Sequence, residues 1–128
     1  MSSRINPGGL LAEYHALPGG PRVCLRLVRR RDAAGLRALY ARHGTPLSEL
    51  ELARLVTLDL ATQLVLCATA LIDSAETAVG VGAIELEDGG RLAPSLVVVD
   101  EELADGLDAL LVEALVAHAD AMLRARAA

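Results

Sequence analysis

The second half of the chain alternates long apolar runs with short polar stretches, a pattern typical of strands joined by turns. The run QLVLCATAL (63–71) is apolar at successive positions, which predicts a central strand buried on both faces. The runs 78–87 and 91–100 follow the turn sequences IDSAET and DGG. Pro94 falls inside or at the start of the last run, where a ladder N–H is lost. We therefore expect three consecutive strands here.

The first half predicts strands followed by helices. GLLAEYHAL is predicted to form an edge strand, and RVCLRLV (22–28) alternates as a strand with Arg26 facing solvent. Asp32 is expected to cap a helix that ends at Gly44 and carries Leu36, Leu39 and Tyr40 on one face. Residues 1–9 are expected to be a flexible tail, and residues 10–128 a single domain.

Two further helices follow from capping and periodicity. Ser48 and Glu51 have the spacing of a capping box, which opens a helix through about Leu58. The last helix starts near Ala104 and runs to the end of the chain. Its inner stripe is predicted to be Leu107, Leu110, Leu111, Ala114, Leu115 and His118 or Ala119. The order of elements predicts an α+β layered architecture.

Composition narrows the classes of function. The 128 residues are 53% hydrophobic, with no Phe or Trp and a net charge of −5, which argues against nucleic-acid binding. The N-terminus has no apolar core of the signal-peptide kind, and no apolar run reaches membrane-spanning length, so we expect a cytoplasmic protein without membrane contact. Cys24 and Cys67 are predicted to be buried small apolar residues. His15, His43 and His118 lack ligand spacing, so no metal is expected.

Three stretches together resemble the GNAT acetyltransferase superfamily, and within it the acetyltransferase domain of bacterial protein acetyltransferases. GGPRVCLRLVRRRDAAGLRALYARHG resembles the family's first strand and helix. LSELELARLVTLDLATQLVLCATA resembles the second helix and second strand, and TAVGVGAIEL the third strand. The resemblance implies a GNAT-like, mixed, mostly antiparallel sheet flanked by helices. It also implies that the family's last strands are lacking here, because the sequence given stops after the helix that precedes them.

The resemblance fails at the functional motifs. The family's fourth strand commonly carries a Glu that acts as general base, and that position falls on Pro94. The family's phosphate-binding turn has Arg or Gln followed by glycines, where this chain has Leu103, Ala104 and, at the last glycine, Asp108. The resemblance thus implies no catalytic residue. It implies a degenerate acetyl-CoA turn formed by Val97, Val98, Val99, Leu103, Ala104, Gly106 and Asp108.

The charges in this turn also argue against the binding of acetyl-CoA. The turn carries Asp100, Glu101, Glu102, Asp105 and Asp108, with no Arg or Lys. A like-charge contact with a pyrophosphate at about 4 Å costs on the order of 1–4 kcal/mol. A helix N-terminus contributes about 0.3–1 kcal/mol towards binding an anion, so a few such contacts offset it. Acids in a first helical turn also cap the helix themselves.

The hypothesis favoured by the sequence is a non-catalytic GNAT-like domain, a pseudoenzyme that acts through protein contacts as a subunit or regulator. No cofactor is expected, and the partners are a second copy of the chain, in a homodimer, and another protein. Two alternatives stay open. One is an acetyl-CoA-dependent N-acetyltransferase, or an acyl-CoA-binding protein. The other is a small-molecule sensor that uses a cleft between the third and fourth strands.

Overall fold

The computed structural model describes residues 4–5, 11–18, 21–57, 63–86 and 92–127. The strands are β1 (Arg4–Ile5), β2 (Leu11–Ala16), β3 (Arg22–Leu27), β4 (Gln63–Ile72), β5 (Ala75–Leu86) and β6 (Leu92–Val99). The helices are α1 (Ala33–His43), α2 (Glu49–Val56) and α3 (Ala104–Ala127). Short 3₁₀ turns, Arg30–Asp32 and Glu101–Leu103, precede α1 and α3. No helix of the described residues is both long and apolar enough to cross a membrane.

The strands form one sheet in chain order, β1 to β6, and the described pairings are all antiparallel. β4 pairs with β3 and β5 and is buried from Leu64 to Ala70, so the prediction of a central strand is confirmed. β2 is paired on its outer side only at Leu11 and Ala12, by β1. Arg4 and Ile5 are therefore paired backbone, where a tail was expected. The DGG turn lies outside the described residues.

Helices cover both faces of the sheet, which explains a sequence rich in apolar residues without strict alternation. α3 packs on one face, where its residues Leu107, Leu111 and Leu115 join Val23, Leu25 and Leu66. α1 and α2 pack on the other face, where Leu36, Leu39, Leu52 and Leu55 join Cys67, Val81 and Ala83. The three layers confirm the predicted α+β architecture. The inner stripe of α3 is confirmed at Leu107, Leu111, Leu115 and Ala119, which are buried.

The predicted N-terminal cap of α2 and C-terminal cap of α1 are confirmed. Ser48 Oγ accepts from Glu51 N at 3.1 Å, and Glu51 Oε1 accepts from Ser48 N at 3.1 Å. The hydrogen bond from Ser48 N to the carboxylate, and next to it the hydroxyl of Ser48, lower the pKa of Glu51. Gly44 ends α1 with φ of +85°, a conformation that glycine adopts without strain. α2 ends at Val56, and Leu58 lies outside the described residues.

The start of α1 differs from the prediction. Arg26 does not face solvent: it is 4% exposed, and its two terminal nitrogens donate to the two oxygens of Asp32 at 2.8 Å. Asp32 makes no side-chain cap on α1, but accepts from Arg29 N at 2.7 Å. The helix layer buries this face of β3, so the guanidinium needs a fixed carboxylate rather than water.

Gly80 and Gly82 of β5 have a packing role. A Cβ on Gly80 would lie 3.0 Å from Leu111 Cδ1, and one on Gly82 would lie 2.7 Å from Leu115 Cδ1. Because the two glycines have no side chains, they leave space on the sheet that Leu111 and Leu115 of α3 occupy.

Candidate functional site

The candidate site is the continuous strand, turn and helix that follow the β5–β6 hairpin. β6 pairs with β5 in register, but Ala83 pairs with Leu96 whereas Ile84 pairs with Pro94. Ser95 is therefore an extra residue, a bulge next to Pro94. Proline is tolerated at bulges and in edge strands because its missing N–H is not needed there. Since β6 is paired with β5 from Leu92 to Val99, the structure contradicts the expectation of a ligand cleft between these two strands.

Hydrogen bonds from its own backbone N–H groups hold the turn after β6 in place. Asp100 N donates to Val79 O at 2.8 Å, which anchors the turn to β5. Glu102 N donates to Asp100 Oδ1 at 3.1 Å, and Leu103 N donates to Asp100 O at 2.9 Å. Two of the N–H groups at the start of this helical segment are thus satisfied by one aspartate.

An arginine from α1 completes this turn. Arg42 Nε lies 3.3 Å from Asp100 Oδ2, and Arg42 Nη2 donates to Ala78 O at 2.9 Å. A cavity of about 200 Å³ lies beside this pair, between the end of α1 and the turn, and carries Glu101 and Glu102 on its wall. Sequence reasoning missed Arg42, because nothing in the local pattern of α1 connects it with a turn nearly sixty positions later.

The remaining predicted residues serve the local structure. Gly106 has φ of +92°, a left-handed conformation, and a Cβ there would lie 3.4 Å from Pro18 Cδ. Leu103 packs against the core under α3. Asp108 is exposed, and its Oδ1 accepts from Ala109 N at 2.8 Å. The side chains of Ala104 and Asp105 lie outside the described part of the chain. The assignment of these residues to a cofactor stays a prediction.

The valines of β6 divide between the layers. Val98 packs against the core under α1 and α2, and Val99 against the core under α3. Val97 is 36% exposed on the α3 side, and Val112 and Val116 of α3 are about half exposed. We call Val97, Val112 and Val116 the edge surface, because they flank a strand that is paired only with β5 among the described residues.

Other titratable groups do not form a metal centre. In the described ranges, no three His, Cys, Asp or Glu side chains are grouped so as to hold a metal ion. His118 of α3 binds Glu13 Oε2 of β2 at 2.8 Å and so connects the two elements, while His15 of β2 binds Glu13 Oε1 at 2.9 Å. Burial raises the pKa of Cys67 to about 12, and burial also raises that of the half-buried Cys24, so both remain thiols.

Comparison with solved structures identifies the fold. The chain superposes on the GNAT domain of S. lividans PAT with a TM-score of 0.67 and 20% identity, over 85% of this chain and 72% of that one. No protein family model matches the sequence, and no curated protein matches it either. The chain therefore has a GNAT-like fold resembling that domain, and the fold expected from the sequence is confirmed.

Proposed function

We propose that this chain is a non-catalytic GNAT-like domain that acts through protein contacts. The proposal rests mainly on the turn after β6, whose polar groups pair with one another. Asp100 accepts a hydrogen bond from the N–H of Glu102 and forms an ion pair with the guanidinium of Arg42. A phosphate group would need those donors. Here they are already bound to a carboxylate that carries the same sign of charge as the phosphate.

The surroundings of the turn add repulsion. Glu101, Glu102 and Asp108 are exposed close to the position that a pyrophosphate would take. Each like-charge contact costs on the order of 1–4 kcal/mol at about 4 Å. Arg42 cannot offset them without losing Asp100 and the carbonyl of Ala78. The balance of these interactions opposes acetyl-CoA at this turn.

The strand that would supply a general base has no titratable side chain. β6 has the sequence LAPSLVVV, and Pro94 stands where the resemblance places a glutamate. General base catalysis requires a group that can accept a proton within hydrogen-bond reach of the substrate. This absence supports a role other than amine acetylation.

The edge surface supplies the contact in this proposal, and the partner is a second copy of the chain. An apolar strand left at a sheet edge is a site for further pairing, and soluble proteins normally cover it. A two-fold axis beside β6 would bring the same strand and the same valines of α3 together from both subunits. Val97, Val112 and Val116 would then become buried against their symmetry mates.

Calorimetry with acetyl-CoA tests the absence of cofactor binding. We expect no saturable heat at millimolar acetyl-CoA and no release of coenzyme A with a panel of amines and lysine peptides. Pro94→Glu should not restore activity, because cofactor binding is opposed as well. Turnover above the uncatalysed rate in the parent protein would overturn the proposal, and recovery in Pro94→Glu would show an intact cofactor site.

Sedimentation equilibrium at micromolar concentration tests the contact. We expect a dimer mass for the parent protein and a shift towards monomer in Val116→Lys. Ala117→Lys is the matched control, because Ala117 is exposed on the same helix outside the edge surface and should stay dimeric. A parent protein that is monomeric, folded and soluble would contradict the proposed homodimer.

The alternative function is an N-acyltransferase or acyl-CoA-binding protein. Two observations favour it: the left-handed Gly106 in the turn and the one-sided pairing of β6 in the described residues, which leaves backbone groups for a ligand. Saturable acetyl-CoA binding in the calorimetric experiment would favour this alternative over the proposal.

A further inference from the structure

One part of the sheet has no helix over it among the described residues. α1 and α2 cover the face formed by β5 and β6, where Ala78, Val81 and Ala83 are buried. The same face continues across the ends of β2, β3 and β4, and there Tyr14 is 65% exposed and Leu71 is 74% exposed. Large side chains this exposed on a continuous sheet face mark a surface at which something else can bind.

A groove lies on this uncovered face. A cavity of about 360 Å³ is lined by Tyr14, Cys24, Thr69, Leu71 and Glu76, among others. A second cavity of about 310 Å³ adjoins it and shares Thr69 and Glu76. Both volumes fall in the usual range for small-molecule sites. The carboxylate of Glu76 therefore lies at the centre of the groove.

The side chain of Glu76 is 54% exposed, and two buried groups lie beside its carboxylate. Thr69 is 4% exposed, and its hydroxyl donates to Glu76 Oε2 at 3.2 Å. Arg26 lies behind it, with Nη2 at 3.7 Å from Glu76 Oε1, too far for a hydrogen bond. Because Arg26 is already neutralised by both oxygens of Asp32, Glu76 Oε1 keeps its negative charge available.

We propose that this groove binds a small organic monocation with an apolar body, its ammonium on Glu76 and its apolar part against Tyr14 and Leu71. The ion pair with a fixed carboxylate provides orientation. The exposed ring of Tyr14 adds a favourable face for a cation. Arg22 lines one cavity and Arg31 the other, so both ends of the groove repel positive charge, and a ligand with two cationic groups is disfavoured more than one with a single cationic group on Glu76.

This inference does not rest on the proposed function. The groove lies over β2, β3, β4 and the first residues of β5, whereas the candidate site is the turn after β6, and the proposed ligand contacts no residue of that turn. Failure to bind an organic cation would leave the argument about acetyl-CoA untouched, and the reverse is also true.

Calorimetric titration with phenethylamine tests the site, with 2-phenylethanol as its uncharged analogue and 1,6-diaminohexane as a dication. We expect saturable binding of phenethylamine with a Kd of about 1 mM or tighter. Both comparison compounds should bind about tenfold more weakly. Tyr14 provides an NMR probe, because its exposed ring should shift on binding while the ring of the buried Tyr40 stays constant.

Three variants locate the site. Glu76→Gln keeps the shape and removes the charge, and should weaken binding about tenfold or more. Thr69→Val should weaken it a few-fold, because the carboxylate is no longer oriented. Glu85→Gln is the matched control, an exposed glutamate of the same strand, and should bind as the parent does. Circular dichroism should show native folding for all three.

Several outcomes would overturn the inference. These are the absence of saturation with phenethylamine, unchanged affinity in Glu76→Gln, or equal weakening in Glu85→Gln. Tighter binding of the diamine would show that the ends of the groove do not exclude a second charge.

Discussion

Two helices of this protein begin next to carboxylates, and the two starts behave differently. At α1, Asp32 is buried with Arg26 and holds both of its terminal nitrogens. At α3, Asp100 is partly exposed and shares its oxygens between Arg42 and the N–H of Glu102. The residue type and the position in a strand-to-helix junction are the same. The difference is whether the cation next to the carboxylate is accessible to water.

The comparison shows what each carboxylate does for the fold. A buried guanidinium that loses its partner retains an unpaired charge away from water, a large penalty. An exposed arginine that loses its partner is solvated instead, so the pair contributes little. Asp32 is therefore a requirement of the folded core, whereas Asp100 shapes a surface turn. The following predictions test that distinction.

The largest effect is expected for Asp32→Asn. It leaves Arg26 buried without a counter-charge, and should lower the free energy of unfolding by about 3–5 kcal/mol in urea denaturation. The double variant Arg26→Leu with Asp32→Leu removes both charges and should recover most of the loss. A loss below about 1 kcal/mol for Asp32→Asn would place this pair in the same class as Asp100.

The next largest effect is expected in the pH dependence of stability, which reports on the buried carboxylate of Asp32. Burial by itself raises the pKa of Asp32, but the hydrogen bonds from Arg26 and Arg29 N outweigh it, so the pKa is lowered in the folded state. The stabilisation is therefore present above about pH 4, where the unfolded carboxyl ionises, and is lost as the pH falls through the lower folded value. Urea denaturation between pH 7 and 2 should show a shallower acid dependence in the double leucine variant than in the parent.

A smaller effect is expected for Asp100→Ala. The change removes the contact to Arg42 and the cap on Glu102 N, and should lower the free energy of unfolding by about 1 kcal/mol. Arg42→Ala should share much of that loss, and a double-mutant cycle measures the shared part. Coupling as large as that expected at Asp32 would remove the contrast between the two junctions.

The smallest effect is expected for Asp108→Asn. Its side chain is exposed and binds only the N–H of the next residue, an interaction that asparagine can also make. Thermal unfolding should change by less than about 0.5 kcal/mol in free energy. A clear destabilisation would mean that the acidic turn does more for the fold than its contacts indicate.

Sequence patterns predicted the features that depend on neighbouring residues. The capping box at Ser48 and Glu51, the left-handed Gly44 and the buried run of β4 all follow from local spacing and composition. The acids after β6 were also interpreted correctly as caps of their own segment at Asp100. In each of these cases the interacting groups are within a few positions of one another.

Features that depend on distant elements were missed or misassigned. Arg26 was placed in solvent because strand alternation assumes one open face, whereas the helix layer closes it. Arg42 and Glu76 gave no signal, since their partners come from other elements of the fold. The candidate turn was thus predictable as a stretch of backbone, but the side chains that complete it were not.

The space left by Gly80 and Gly82 limits which substitutions the fold can accept at these two positions. The leucines of α3 approach the backbone of β5 so closely that a side chain at either glycine would force Leu111 or Leu115 to shift. A one-residue slip of β5 would present Val81, which now faces α1 and α2, to α3 in place of a glycine, and Leu111 and Leu115 would lose the space they occupy. The glycines therefore help to fix the register of β5 in the sheet. Substitution should therefore be restricted not only in the buried leucine layer but also at two positions that have no side chain at all.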